Sequence, residues 1–112
     1  MAKLVILEPA QREIEEIALL HLRLSGPNSA RKITDLIYDT VGRMELFPRS
    51  GHPPKDQQLV KEGYSYVIAG KYIAVCRYLE YEDTVYVYHI AHGASNYPAL
   101  FKRLLQSKNQ AK

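Results

Sequence analysis

The hydrophobic period of the chain changes from helical to strand-like by Gly63, and this change constrains the fold more than any other feature. Over residues 10–44, apolar residues recur every three or four positions, as they do along one face of a helix. After Gly63, runs rich in Tyr, Val and Ile are separated by short turns, as in strands. At 112 residues, the chain is predicted to form one α+β domain spanning residues 1–112.

The helical part follows a short predicted strand at residues 4–7. Pro9 suits the first turn of a helix, and apolar residues then keep helical spacing as far as Leu24. Residues 25–28 contain Gly26 and Pro27, which indicate the end of one helix and the start of the next. The second helix is predicted to run to Phe47-Pro48. So short a connection predicts a helical hairpin packed on one face of the sheet.

The sheet part follows a polar loop at residues 49–62 in which no period can be read. Strands are predicted at residues 64–68, 72–79 and 84–91, and their short connections predict an antiparallel three-stranded meander. A short terminal helix is predicted at residues 99–105. The sheet face away from the helical hairpin is expected to stay open.

The last of the three strands has a parity that one regular strand cannot satisfy. Val85 and Val87 would face the same side of the sheet, but Ile90 would face the other. A bulge near Tyr88 or His89 would let all three face the helices. Alternatively, both faces of the sheet are partly covered.

The composition indicates which kind of partner the protein binds and in which cellular compartment it is found. A single cysteine, Cys76, excludes an intramolecular disulfide and a cysteine-based metal cluster, which fits the reducing cytoplasm. The N-terminal apolar run is too short for a signal sequence or a membrane span. A net charge of +3 with pI near 9.0 favours an anionic partner, either nucleic acid or an acidic protein segment. Nine tyrosines suit a surface where rings stack or donate hydrogen bonds, although strands also favour tyrosine.

Four segments occur in a characteristic order and spacing: LFPRSG at residues 46–51, GYSYVI at 63–68, IAVCRY at 73–78 and HIAHGASNYPALF at 89–101. With the order of elements, they make the chain resemble the RelE/ParE toxins of bacterial type II toxin–antitoxin systems over nearly its whole length. The resemblance implies a cytoplasmic toxin that is neutralised by a cognate antitoxin encoded beside it.

Two activities are known in this superfamily. RelE-like members cut messenger RNA in the ribosomal A site, with groups that activate a ribose 2′-hydroxyl, stabilise the phosphate and protonate the leaving oxygen. ParE-like members inhibit DNA gyrase. We favour the first activity, a ribosome-dependent messenger RNA endoribonuclease that needs no metal or other cofactor, and keep gyrase inhibition as the alternative.

The resemblance implies three catalytic residues. Arg77, in the middle of the second meander strand, would stabilise charge on the phosphate. His92 would exchange a proton near neutral pH, and Tyr97 would take part in proton transfer if nearby cations lowered its pKa. These three groups are expected to converge on one phosphate. Alternatively, Arg77 is a solvated strand residue paired with Glu80 or Glu82.

Three further residues are candidate RNA contacts. Lys71, in the turn before the second meander strand, would bind a phosphate, or else is a solvated turn residue. His89 would assist in RNA binding. Phe101 would stack on a base, or else anchors the terminal helix in the core. Of the other histidines, His21 is expected to be buried and hydrogen-bonded, whereas His52 is expected to be solvated.

One segment departs from the pattern of the superfamily. Many members carry two arginines just before an Asp-Tyr, but this chain has Ala94 and Ser95 before Asn96 and Tyr97. The change removes a phosphate clamp and weakens the case for RNA cleavage. Cys76 is interpreted as a small apolar residue that fills space in a strand.

Overall fold

The computed structural model describes residues 1–93. Within this range the helices and strands follow the predicted order, and one additional short helix precedes the meander. The terminal helix predicted at residues 99–105 lies outside the described residues. The elements are β1 (Lys3–Ile6), α1 (Glu8–Ser25), α2 (Pro27–Gly42), α3 (Gln57–Lys61), β2 (Tyr64–Ala69), β3 (Tyr72–Leu79) and β4 (Thr84–His92).

The helical hairpin forms as predicted. Pro9 lies in the first turn of α1, and Gly26 joins the two helices with φ of +91°, a conformation that glycine adopts without steric cost. Helix α2 ends at Gly42, earlier than predicted, and a 3₁₀ turn at Arg43–Glu45 follows it directly. Such a turn is common at the end of an α-helix because it still pairs the last carbonyl groups.

The sheet has four strands in the order β1-β4-β3-β2. Strands β2, β3 and β4 form the predicted antiparallel meander. Strand β1 pairs with β4 in parallel, from Lys3 opposite Thr84 to Ile6 opposite Val87. The sheet is therefore mixed, whereas the sequence analysis expected an antiparallel sheet. A pairing between residues about eighty positions apart leaves no local signal in the sequence.

The last strand contains a bulge, which was one of the two alternatives considered from the sequence. His89 pairs with Val75 and Val87 pairs with Cys76, so Tyr88 is an extra residue on β4. As a result, the apolar side chains on both sides of the bulge join the core under the helices. This core includes Ala10, Ile14, Ile37, Val41, Met44, Ala74, Cys76, Val85, Val87 and Ile90.

The opposite face of the sheet holds a second, smaller core, so the expectation of an open face is wrong. Leu59, Tyr64, Ile73 and Val75 are all buried there. Leu59 belongs to α3, which lies inside the loop that showed no period. The Asp56 side chain accepts a hydrogen bond from the Gln58 backbone N–H, which caps the helix. A five-residue helix is too short for its period to be read from sequence.

Candidate functional site

Arg77 lies on β3, on the face of the sheet away from the helices. Its Nε donates a 2.7 Å hydrogen bond to the backbone carbonyl oxygen of Glu62, and its guanidinium carbon is 4.9 Å from the centre of the Tyr64 ring. A longer contact of 4.0 Å joins Nη2 to the Glu62 carboxylate, and the side chain is only 21% exposed. The guanidinium therefore stabilises the turn between α3 and β2. Its acidic partner is Glu62, and not Glu80 or Glu82 as considered from the sequence.

His92 is the last residue of β4 and lies on the other face of the sheet. Its partner in the register is Tyr72, and partners across an antiparallel pair point to the same face. The Tyr72 hydroxyl is 3.0 Å from Nε2 of His21 on α1, so this face is the one that the helices cover. The rings of His92 and Tyr72 meet edge to face at 5.4 Å. His92 is exposed at the end of the strand.

The structure does not bring Arg77 and His92 together. Besides pointing to opposite faces, they are separated along the sheet, because His92 pairs with Tyr72 and Arg77 is five residues further along β3. At roughly 3.3 Å per residue, this spacing is about 17 Å. Two groups that act on one phosphate must both reach it within hydrogen-bond distance. Tyr97 and Phe101 lie outside the described residues.

His89 is tied to α1. Its Nδ1 donates to Oε1 of Glu13 at 3.2 Å, and the same oxygen accepts a 3.0 Å hydrogen bond from the backbone N–H of Ile90. Strand β1 ends at Ile6, opposite Val87, so Glu13 occupies the edge of β4 where β1 no longer pairs. Glu13 thereby holds the strand just after its bulge. Sequence analysis placed His89 near a bulge but did not identify Glu13.

Two more histidines and one lysine lie near where the sequence analysis placed them. His21 is partly buried and is hydrogen-bonded to Tyr72 and to Ser29, while His52 is exposed. Lys71 is exposed in the turn between β2 and β3, and its backbone carbonyl accepts from the Gly93 N–H at 2.9 Å. A role of Lys71 or His89 in RNA binding stays a prediction.

A cleft that the sequence analysis missed lies between the segment after α2 and the far end of β3. Its volume is about 670 Å³. We call it the basic cleft, and its lining includes Arg49, Lys61, Arg77, Tyr64, Tyr78 and Tyr81.

The electrostatics of the basic cleft come from paired groups on its walls. Arg49 forms a 2.8 Å ion pair with Glu80, which raises the pKa of Arg49, and its guanidinium carbon is 5.1 Å from the Tyr78 ring centre. The Tyr78 hydroxyl donates to Asp83 at 2.7 Å, which raises the pKa of Tyr78. Tyr78 therefore stays protonated at neutral pH and is poorly suited to act as a base.

Two glycines allow the walls of the basic cleft to come together. A Cβ at Gly51 would be 2.6 Å from Oγ of Ser65 on β2, and a Cβ at Gly63 would be 2.4 Å from the carbonyl oxygen of Tyr78 on β3. Next to Gly51, His52 and Tyr66 exchange two backbone hydrogen bonds of 2.8 and 3.0 Å. The segment after α2 is therefore fastened to the sheet. Both glycines belong to the sequence segments quoted above, but sequence could not show that they border a cleft.

Neither a thiol nucleophile nor a metal centre is found in the part of the chain that the structure describes. Cys76 is fully buried in the core, and burial raises the pKa of its thiol to about 12, which agrees with its interpretation as an apolar filler. Among residues 1–93, no three His, Cys, Asp or Glu side chains are grouped as metal ligands. Within the same range, no helix has the length and apolar character needed to cross a bilayer.

Solved structures of two other proteins share the fold of this chain. The chain is similar to a structure of the chromosomal ParDE toxin–antitoxin system from P. aeruginosa, with 18% identity and a TM-score of 0.69 over 83% of this chain and 97% of that one. It is also similar to the toxin–antitoxin complex RelBE2 from Mycobacterium tuberculosis, with 16% identity and a TM-score of 0.56 over 81% of this chain and 96% of that one. At such identities, these likenesses establish a common fold.

The family follows from the sequence itself. Residues 4–97 match the family described as the ParE toxin of the type II toxin–antitoxin system parDE. The chain therefore belongs to the ParE toxin family, which confirms the resemblance to the RelE/ParE superfamily found in the sequence analysis. No curated protein sequence matches the chain.

Proposed function

We propose that this chain is the toxin of a type II toxin–antitoxin pair and that it acts by binding and inhibiting DNA gyrase. The observation that carries the proposal is the separation of Arg77 from His92, which lie on opposite faces of the sheet and about five residues apart along it. This reverses the preference of the sequence analysis, which favoured RNA cleavage.

Cleavage through a ribose 2′-hydroxyl needs a base, an acid and a charge stabiliser within reach of the same phosphate. The Arg77 guanidinium already donates to the Glu62 carbonyl and covers the Tyr64 ring, so it would have to leave both to bind RNA. The sequence also lacks the arginine pair that would clamp a phosphate, since Ala94 and Ser95 stand there. A toxin that binds a protein needs none of these groups to converge.

The chain belongs to the ParE family, and this membership favours the same target because the resemblance described above associates ParE-like members with gyrase inhibition. The two similar structures named above belong to toxin–antitoxin systems, which supports a cognate antitoxin for this chain as well. An antitoxin with an acidic, amphipathic segment would suit a basic toxin. We expect the product of the adjacent gene to copurify with the toxin when the two are expressed together.

Two assays run side by side test the proposed function. Purified toxin is added to a gyrase supercoiling reaction and to a cell-free translation reaction whose messenger RNA is followed by primer extension. We expect supercoiling to be blocked and the messenger to stay intact, and the purified antitoxin should restore supercoiling. Messenger cut in the ribosomal A site with supercoiling unaffected would refute the proposal and restore the nuclease interpretation.

A further inference from the structure

We infer that the basic cleft is the surface through which this toxin binds an acidic segment of its protein target. The segment would also present apolar side chains to the tyrosines of the cleft. The identity of the target as gyrase rests on the proposed function. The location of the binding surface and the chemistry of the segment rest on the cleft itself.

The cleft has a net charge of the same sign as the whole chain. The chain has 15 Lys and Arg residues against 12 Asp and Glu residues, which gives a net charge of +3. The lining of the cleft carries three cations against two carboxylates, Glu62 and Glu80. An acidic ligand therefore meets a net positive surface at the cleft, and such surfaces steer association.

Lys61 is the cation of the cleft lining that makes no ion pair within residues 1–93. Arg77 and Arg49 contact Glu62 and Glu80, respectively. Lys61 is exposed at the last residue of α3. The Arg49 side chain remains 58% exposed beside Glu80, so its guanidinium can also donate hydrogen bonds to a second carboxylate.

The rim of the cleft has the composition of a protein-binding surface. The Tyr81 side chain is 83% exposed and the Val60 side chain is 38% exposed, and Phe47, 62% exposed, directly precedes the lining residue Pro48. Tyrosine, phenylalanine and arginine are enriched where proteins bind one another, and Tyr and Arg recur as energetic hot spots. Two backbone hydrogen bonds between His52 and Tyr66 already hold the segment after α2 against the sheet. Binding would therefore order little additional backbone and would cost little conformational entropy.

The two carboxylates distinguish an acidic peptide from a nucleic acid. A phosphate backbone has a closely spaced series of negative charges and needs several available cations, but Arg77 and Arg49 already pair with Glu62 and Glu80. A peptide can instead place single carboxylates opposite Lys61 and Arg49 and apolar side chains against the tyrosines. A volume of about 670 Å³ holds a few side chains, which suits a short segment.

The first test measures binding of the full-length toxin to intact gyrase by calorimetry at low salt. Lys61→Glu should weaken binding by roughly five- to tenfold and Lys61→Gln by less, because an exposed charge contributes modestly to affinity. The matched control is Lys32→Glu, the same exchange at an exposed lysine on α2, which should bind like the wild type. Melting curves of each variant establish that it is folded. Equal binding by wild type, Lys61→Glu and Lys61→Gln would overturn the inference while leaving the proposed function intact.

The second test does not depend on gyrase. A glutamate-rich peptide containing tyrosine and an oligoribonucleotide of equal charge are each titrated into ¹⁵N-labelled toxin. We expect the peptide to shift the amide signals of Gly51, Lys61 and Gly63, and Lys61→Glu to reduce these shifts. Tighter binding of the oligoribonucleotide at the same amides, or peptide shifts confined to α1 and α2, would overturn the inference whether or not gyrase is the target.

Discussion

Replacing Arg77 by alanine separates the two interpretations of this residue. The change removes a charged hydrogen bond to the Glu62 carbonyl, for which about 1.5–3 kcal/mol is typical, and a cation–π contact with Tyr64, for which about 0.5–1 kcal/mol is typical. The free energy of unfolding should therefore fall by roughly 2–4 kcal/mol. For a domain of this size, the corresponding fall in melting temperature is roughly 8–16 °C. A residue that only held substrate would not produce such a loss.

The assay is urea unfolding of the purified toxin, followed by circular dichroism, with Arg12→Ala as the matched control. Arg12 pairs with Glu8 at 3.8 Å, and the two side chains are 62% and 86% exposed. An exposed pair of this kind contributes less than about 0.5 kcal/mol, so the control should unfold like the wild type. Arg77→Lys keeps the charge but not the planar donor fork, and it should fall between the wild type and Arg77→Ala.

The result that would refute this reasoning is also specific. It is an Arg77→Ala toxin whose unfolding free energy lies within about 0.5 kcal/mol of the wild type and which loses cleavage of ribosome-bound messenger by roughly a hundredfold, as loss of a catalytic group would produce. Arg77 would then be a catalytic residue, and the proposed gyrase mechanism would be wrong.

Two substitutions and one labelling experiment test the structure further. In thermal unfolding, Gly63→Ala should destabilise the fold by at least about 2 kcal/mol more than Gly26→Ala. Both glycines have φ of +91°, but only a Cβ at position 63 would meet a backbone carbonyl oxygen. Equal losses of stability in the two variants would contradict this close approach. Glu13→Ala should speed hydrogen exchange of the Ile90 amide by roughly tenfold or more, because the amide loses its acceptor. Glu13→Gln keeps an acceptor and should change the exchange rate less. An unchanged rate in Glu13→Ala would argue against the hydrogen bond between Glu13 and Ile90. Cys76, whose pKa is raised to about 12, should resist iodoacetamide at pH 8 until the chain is unfolded, and rapid labelling of the native toxin would contradict its burial.

Sequence predicted the elements whose signals are local. The hairpin of α1 and α2 was readable from helical spacing interrupted by Gly26 and Pro27, and the meander from short turns between β-rich runs. The parity of Val85, Val87 and Ile90 indicated the bulge in β4 as one of two alternatives, and the structure contains it. Helix α3 and the early end of α2 were missed, because one turn of helix has no readable period.

The candidate site was only partly predictable for a different reason. Sequence placed Arg77 in the middle of the second meander strand and His92 at the end of the third, but it did not predict on which face of the sheet His92 would lie. The bulge decides this, since one extra residue reverses the parity of every residue after it. With the bulge at Tyr88, His92 shares the face of Tyr72 under the helices.

Sequence alone therefore determined the fold class, the family and the inventory of charged and aromatic side chains, because these depend on residue type and on spacing between neighbours. Tertiary structure decided the parallel pairing of β1 with β4, the partner of Arg77 and the existence of the basic cleft. Each of these depends on contacts between segments far apart in the chain. Such contacts form only where burial and hydrogen bonding across the whole domain outweigh the entropy of closing long loops, and no local pattern records that balance.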